Sequence, residues 1–178
     1  MNGMNDECPR FYGKYRGVMT NNKDEKGLGR IQFKAQDVFG DKESPNWATP
    51  CVPYAGKGVG LYLIPPEKAF VWVEFEHGDP DYPVWTGCFW AEGEVPVKSD
   101  KKETMPEKKV LKTDVGTITL NDSSSEGGIT IETNKDPKMK IVINEDGIEI
   151  KVEAKPNDAS VKLSGNKVSI NGNALEVE

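Results

Sequence analysis

The stretch MKIVINEDGIEIKV, residues 139–152, decides the fold of the second half of this 178-residue chain. Ile141 and Ile143 alternate with polar or smaller residues before the turn Asn-Glu-Asp-Gly, and Ile148 and Ile150 do so after it. A side-chain period of two residues is typical of a β-strand with one apolar face, and Asp-Gly between two such runs is typical of a hairpin. The stretch therefore predicts an antiparallel hairpin with one aliphatic and one polar face.

The same pattern extends in both directions from this hairpin. Strands are predicted at 116–120, 128–132, 139–143, 147–152, 160–163, 167–170 and 175–177, joined by turn-forming sequences such as Gly-Gly and Lys-Pro-Asn-Asp. No aromatic residue occurs from residue 108 onwards. Apart from Met139, the alternating apolar residues of these strands are Ile118, Leu120, Ile129, Ile131, Ile141, Ile143, Ile148, Ile150, Val152, Val161, Leu163, Val168, Ile170, Leu175 and Val177.

One copy of this region would be an amphipathic ribbon with no second layer over its aliphatic face and with two open edges. Three copies wound about one axis would pair those edges and bring the three aliphatic faces together, and branched aliphatic side chains suit a narrow interior. We therefore predict an intertwined homotrimeric β-helix (a β-prism) over residues 108–178, with these aliphatic residues in its interior. A monomeric β-sandwich or a two-sheet solenoid is the alternative.

The first half of the chain has a different composition, because it holds all four Trp, all five Tyr, all six Phe and the single His. Short strands are predicted at 11–21, 29–38, 59–65, 69–76 and 84–90, with no helical pattern, and Val71, Val73 and Phe75 share one face. These features predict an all-β architecture: a small, partly closed barrel over residues 10–92, after a tail at 1–9. A linker rich in charge and proline follows at 93–107.

Charge, hydropathy and cysteine spacing argue against several classes of protein. The net charge of −6 and the pI near 5.0 argue against a nucleic-acid partner. No apolar run approaches the roughly 20 residues that cross a bilayer, and the N-terminus lacks the apolar core of a signal peptide, so synthesis in the cytoplasm is expected. Cys8, Cys51 and Cys88 form no Cys-x-x-Cys pair and are predicted to be free thiols.

Candidate reactive residues have simpler interpretations. His77 has no Cys or His at ligand spacing, and Cys88 alternates with Thr86 and Trp90 as a core or interface residue of a strand would. We therefore predict no catalytic residue, no metal site and no cofactor.

Two further motifs resemble ligand sites but are predicted to be turns. Gly56, Gly58 and Gly60 lack the helix and the Lys-Ser/Thr ending of a phosphate loop. Asp79 and Asp81 stand in a Gly-Asp-Pro-Asp context that favours an Asx turn over a calcium or carbohydrate site.

Several runs of the first half match a known pattern in order and spacing: GRIQF at 29–33, WATP at 47–50, AGKGVG at 55–60, YLIP at 62–65, and VWVEFEHGDPDYPVWTG at 71–87. Over about 75 residues they resemble the OB-fold domain of phage baseplate assembly protein V and of VgrG spike proteins. The second half is similar to the family's β-prism tail by pattern only. The family-motif residues of the barrel are Gly29, Arg30, Trp47, Gly56, Phe75, Gly78, Asp79, Pro80, Pro83 and Gly87.

The resemblance implies a structural, non-enzymatic central spike of a contractile injection machine. Such a homotrimer sits at the baseplate centre, with hub and inner-tube proteins on its barrel side, and pierces the target envelope when the sheath contracts, so that it touches the target membrane only transiently. A phage tail, a tailocin, an extracellular contractile injection system and type VI secretion all remain open as the machine.

The tip of the spike gives one further expectation. His77, the single histidine, lies in the first half, which leaves no His-x-His iron clamp at the apex, and the chain ends in strand texture at Leu175–Val177. A PAAR-like tip protein is therefore expected to cover the C-terminal end.

Two other functions compete with the spike. An OB-fold module could bind an oligonucleotide or a carbohydrate through Tyr12, Tyr15, Phe33, Trp72 and Phe75 while carried on a trimerising stalk. A spike-borne hydrolase is disfavoured, because the sequence has no evident catalytic triad, carboxylate pair or metal cluster outside its turns.

Overall fold

The structure is a computed structural model that describes residues 9–97, 105–125, 127–154, 156–172 and 174–177. The chain divides into two compact units, Met1–Glu94 and Val95–Glu178. Both units are built almost entirely from β-strands, as the sequence predicts. Most of the predicted tail and residues 98–104 of the predicted linker lie outside the described residues.

The first unit contains a curled, OB-like sheet. Its strands follow the order β2-β1-β6-β7-β3, and every pairing is antiparallel except that of β3 with β7. A separate two-residue hairpin, β4 with β5, stands between β3 and β6. The elements are β1 (Tyr15–Asn21), β2 (Gln32–Lys34), α1 (Gln36–Phe39), β3 (Thr49–Pro50), β4 (Ala55–Gly56), β5 (Val59–Gly60), β6 (Phe70–Phe75), a 3-10 turn (Glu76–Gly78) and β7 (Pro83–Phe89).

The core of this unit lies on the face of β6 that the alternation predicts. Val71 and Val73 are fully buried and Phe75 nearly so, whereas the residues between them are half-buried. The remaining core residues come from β1, β2, β7 and the loops beside them, and they are Met19, Ile31, Phe33, Ala35, Ala48 and Trp85. Burial of one such large apolar side chain contributes about 1.5–3 kcal/mol, so these few residues dominate the stability of the unit.

Three predictions for this unit are wrong in detail. The expected strand at 11–21 begins only at Tyr15. The expected strand at 29–38 pairs as a strand only at Gln32–Lys34 and continues into the short helix α1, where the amides of Phe39 and Gly40 donate to the carbonyls of Ala35 and Gln36. A single helical turn is too short to show a 3.6-residue period, and Gly40 ends it at a φ of +60°. The expected strand at 59–65 is a strand only at Val59–Gly60.

In the second unit, the described residues form an eight-stranded antiparallel sheet in which each strand pairs with the next along the chain. The first strand, β8, falls within a lysine-rich run and was not among the predicted strands. The strands are β8 (Lys108–Lys112), β9 (Gly116–Asn121), β10 (Gly128–Thr133), β11 (Lys138–Asn144), β12 (Gly147–Glu153), β13 (Ala159–Ser164), β14 (Lys167–Ile170) and β15 (Leu175–Val177).

The register of this sheet aligns the aliphatic residues in two rows that cross all eight described strands. Directly paired residues lie on the same face of an antiparallel sheet, so each row is continuous. The first row is Leu111, Ile118, Ile131, Ile141, Ile150, Val161, Ile170 and Leu175. The second row is Lys109, Leu120, Ile129, Ile143, Ile148, Leu163, Val168 and Val177.

Candidate assembly surfaces

The face that carries these two rows, called here the aliphatic face, is the more exposed face of the C-terminal sheet. Ile150 and Leu120 are 49% and 46% exposed, and only the valines of the rows whose side chains are described reach half-burial. On the opposite face, polar residues are the more sheltered ones, and Thr117 is 9% exposed. Water-soluble sheets bury their apolar face and expose their polar one, so this arrangement requires something to cover the aliphatic face.

The structure adds residues to the predicted interior set. Leu111 pairs with Ile118 and is 49% exposed, and Met139 pairs with Val152 and is 51% exposed. Both lie on the aliphatic face. Neither was in the predicted interior set: Leu111 stands in the unpredicted strand β8, and Met139 was recognised as an alternating apolar residue of its strand but was not assigned to the interior.

The ends of the sheet are also open. In the described part of the chain, β8 and β15 are edge strands, each paired on one side only. Unpaired strand edges are sites at which another chain adds. Open edges and an exposed aliphatic face occur together on the same unit, and three chains that exchange edges would cover both.

In the first unit, the Gly-Asp-Pro motif forms the predicted turn between β6 and β7. Gly78 has a φ of +73°, and its carbonyl accepts from the amide of Phe11 at 2.7 Å. The Asp79 carboxylate accepts from the amide of Asp81 at 3.1 Å, which makes an Asx turn, and pairs with Arg10 at 3.0 Å. This turn ties the entering chain to the β6–β7 connection, and the Asp79 carboxylate is engaged by Asp81 and Arg10.

Four other motif residues lie in this turn or in the strands on either side of it. Phe75 is in the core, and it pairs with the buried Pro83, which begins β7. Pro80 is half-buried in the turn itself. Gly87 has a φ of +148° and pairs with Trp72 at a β-bulge that leaves Thr86 unpaired in the ladder.

A second cluster of motif residues surrounds the loop before β2. The Trp85 indole donates to the carbonyl of Gly29 at 3.2 Å, and a Cβ on Gly29 would meet Ile64 at 3.1 Å. Arg30 lies over the ring of Trp47, 5.5 Å from its centroid. This cluster therefore brings together the runs 29–33, 47–50 and 62–65, which are separate in the sequence.

Asp24 organises this loop and was not predicted. Its carboxylate accepts from the amides of Lys26, Leu28 and Arg30 at 2.9–3.3 Å, and the Arg30 guanidinium approaches it to 2.5 Å. The side chain of Asp24 is only 3% exposed. The hydrogen bond from Arg30 holds the pKa of Asp24 well below its ordinary value of 3.8, the amides lower it further, and Asp24 in turn raises the pKa of Arg30.

The remaining motif glycine, Gly56, lies in the exposed β4–β5 hairpin, where a Cβ would meet Val59 at 3.1 Å. The alternation of glycines there serves this turn, as predicted. No helix follows it in the described residues, since the chain continues as a loop to β6.

The candidate reactive residues lie in different elements of the first unit: His77 in the 3-10 turn, Cys88 in β7 and Cys51 directly after β3. His77 lies in the 3-10 turn with a φ of +52°, and Cys51 and Cys88 are free thiols, whereas Cys8 lies outside the described residues. Cys88 is exposed, so a core position for it is wrong, and burial by its neighbours raises the pKa of its thiol, which disfavours the thiolate at neutral pH. Across the described ranges no group of three or more His, Cys, Asp or Glu is placed to hold a metal ion.

The aromatic residues proposed for nucleic-acid binding do not form one surface. Phe33 and Phe75 are buried in the core, and Tyr15 packs against Phe75 with ring centroids 5.7 Å apart. Trp72 packs against Phe89 with the ring centroids 4.7 Å apart and the planes tilted by 39°, and the Arg16 guanidinium lies over the Trp72 ring, 5.0 Å from its centroid. Most of the set is therefore unavailable for base stacking.

Comparison with protein-family models matches both units. Residues 15–90 match the type VI secretion system/phage-baseplate injector OB domain, and residues 108–176 match the phage baseplate V C-terminal trimerisation domain. The chain belongs to the phage baseplate V family. Family membership assigns the aliphatic face to a trimerisation domain and supports a VgrG-like structural spike of the baseplate.

One curated relative is the type VI secretion system spike protein VgrG4b of Pseudomonas aeruginosa, 34% identical over 89 residues. The match covers 46% of this chain and 11% of the relative. The baseplate V chain thus shares one segment with a much longer spike protein. Within the described residues, no helix is long and apolar enough to span a membrane.

The buried carboxylate gives a test of the barrel's loop. Asp24→Asn is expected to lower the melting temperature of the barrel at pH 7, because the Asp24 pKa is lower in the folded than in the unfolded chain. The ionised form therefore contributes stability that is fully present above the unfolded pKa near 3.8 and is lost as the pH falls towards the folded pKa. Thermal unfolding of both proteins between pH 2 and pH 7 should show their difference shrinking below pH 4, whereas Asp41→Asn, at an exposed position, should show little difference at any pH.

Proposed function

We propose that this chain is the homotrimeric central spike at the baseplate centre of a contractile injection machine and that it pierces the target envelope when the sheath contracts. The observation that carries the proposal is the continuous aliphatic face of the C-terminal sheet, exposed in one chain and belonging to a trimerisation domain. Three such faces turned towards a common axis make a rod with a dry interior. The residues predicted for that interior are the aliphatic members of the two rows from β9 to β15 together with Val152, and we add Leu111 and Met139 to them because they lie on the same face.

The rod transmits axial force by its construction. Its strands are joined by short turns along the whole described sheet, and its interior is aliphatic in every strand pair beyond the first. Interiors packed at crystal-like density are hard to compress, so a load applied at one end reaches the other. The energy for piercing comes from the sheath, and the function needs no catalytic group, metal or cofactor of this chain.

The proposal includes partners at both ends of the spike. The barrel unit matches an injector OB domain, and we assign its surface to contacts with the hub and inner-tube proteins. The PAAR-like tip protein stays a prediction for the other end. Assembly in the cytoplasm into a phage-tail-like particle, with transient contact to the target membrane, completes the proposal.

Light scattering coupled to size exclusion tests the oligomeric state directly. The purified protein should have a mass of about 59 kDa, three times the 19.7 kDa of one chain. A mass of 19.7 kDa at micromolar concentration would contradict the spike and leave the barrel as a binding module. Cryo-electron microscopy of particles that contain the trimer should then show threefold density on the tail axis, and a trimer located elsewhere would contradict the placement in the baseplate.

A further inference from the structure

The aliphatic face carries an ion pair at one end of the sheet, where β8 pairs with β9. Lys109 pairs across the strands with Leu120, which places it on the aliphatic face at the start of the second row. Its ammonium group contacts the carboxylate of Asp122, and the two side chains are 53% and 64% exposed in the single chain. Asp122 follows Leu120 by two residues and extends the ladder, since its amide donates to the carbonyl of Glu107 at 2.9 Å.

The remaining residues of both rows do little to specify which strands of neighbouring chains lie side by side. From β9 to β15 every member of the two rows is Ile, Leu or Val, so a chain displaced by one hairpin along the axis would still place aliphatic residues against aliphatic residues. The turns do not prevent this displacement, because they lie at the margins of the sheet. A uniform interior thus opposes such a displacement only through the apolar strands left uncovered at the two ends of the rod.

We infer that the Lys109–Asp122 pair, present once per chain, sets the axial register of the trimer. The inference rests on the proposed homotrimer and names the residues that align it. In the aligned trimer the three pairs form one layer, in which every charge has partners of opposite sign. A chain displaced by one hairpin would bring its Lys109 and Asp122 against aliphatic layers of its neighbours, where charges lose water and gain nothing in return. A single polar layer in an otherwise apolar interior is a recognised means of excluding misaligned assemblies.

The matched control lies on the same strand. Lys108 precedes Lys109 and pairs with Asn121, so its side chain projects from the opposite, polar face. Lys108→Met removes the same charge from β8 without touching the aliphatic face. Lys109→Met combined with Asp122→Leu replaces the ion pair by apolar groups of similar size, which commonly preserves stability while removing specificity.

Pulsed dipolar spectroscopy reads the register. A spin label at Lys162→Cys, an exposed position on the polar face of β13, is placed in a chain whose three native cysteines are changed to serine. An aligned trimer has three equivalent labels and gives one narrow distance. A chain displaced by one hairpin moves its label by two strand spacings, about 10 Å, and adds a second distance.

The labelled protein with Lys109 and Asp122 intact and its Lys108→Met variant should each give a single distance. The Lys109→Met/Asp122→Leu protein should remain trimeric by mass and give at least two distances. The exchanged variant Lys109→Asp/Asp122→Lys, which restores a pair in the same layer, should return to one distance.

The outcomes separate this inference from the proposed function. A single unchanged distance in the Lys109→Met/Asp122→Leu trimer would overturn the register role and leave the spike intact. Conversion of that variant to monomers would also overturn it, because the pair would then serve stability instead of alignment. Absence of any interchain distance in the unsubstituted labelled chain would overturn the homotrimer itself.

Discussion

Ile131→Asp is expected to convert the 59 kDa trimer into monomers of 19.7 kDa. Ile131 stands in the first row between Ile118 and Ile141, and it is 44% exposed in one chain. In the trimer the substitution would bury three carboxylates near the common axis. An uncompensated buried charge costs roughly 3–5 kcal/mol, and here the cost recurs in each chain and adds to the lost isoleucine packing. Light scattering at micromolar concentration is the measurement.

Thr130→Asp is the matched control for this prediction. Thr130 precedes Ile131 on β10 and pairs with Thr119 and Val142 on the polar face, so the substitution adds the same charge and the same poor strand propensity. The Thr130→Asp protein should stay at about 59 kDa, three times the chain mass. Loss of the trimer in both variants would show that any aspartate in β10 disrupts the unit, and the aliphatic face would lose its special role.

The sidedness of the C-terminal sheet could be predicted from the sequence because the period of two residues fixes which side chains share a face. What the alternation could not reveal is the strand β8, whose sequence KKVLK has only two apolar residues and resembles the charged stretch before it. Its pairing with β9 is visible only in the structure. For the same reason Leu111 and Lys109 were missed, although both lie on the predicted face.

In the barrel, the motif residues were recognised, but their partners were not. Arg30 belongs to the motif, and nothing in its spacing points to Asp24, six residues earlier across a loop with two glycines. The carboxylate is held by backbone amides that converge only when the loop has folded. An Asp followed by Gly27 and Gly29 is typical of a turn, and this pattern predicts the loop without predicting the contact between Asp24 and Arg30.

The shortest elements of the barrel could not be predicted from the sequence either. Helix α1 and the strands β3, β4 and β5 have two to four residues each, about one period of the helix or strand pattern, which is too short for a repeat to be visible. Their existence depends on tertiary contacts, such as the burial of Ala35 and Ala48 against the core. The sequence could therefore predict the barrel class without predicting these connections.

Trp85→Ala is expected to destabilise the barrel by about 3–5 kcal/mol while leaving the trimer assembled. Trp85 is 4% exposed, packs in the core and donates its indole hydrogen to Gly29, so its removal leaves both a large cavity and an unpaired carbonyl. For a domain of 60–100 residues, each kcal/mol lowers the melting temperature by roughly 4–8 °C. The expected decrease of the melting temperature is thus roughly 12–40 °C.

Two measurements separate the barrel from the rod in the same sample. All four tryptophans lie in the first unit and the chain from residue 108 onwards has no aromatic residue, so the fluorescence of the remaining tryptophans reports the barrel, while light scattering reports the trimer. Trp90→Ala is the control, because Trp90 follows β7 directly and is 63% exposed. Its melting temperature should stay close to that of the unsubstituted protein, since exposed substitutions change stability by about 0.5 kcal/mol or less. If the Trp85→Ala trimer dissociated as well, assembly would depend on the folded barrel. The aliphatic face would then not be sufficient to hold the three chains together.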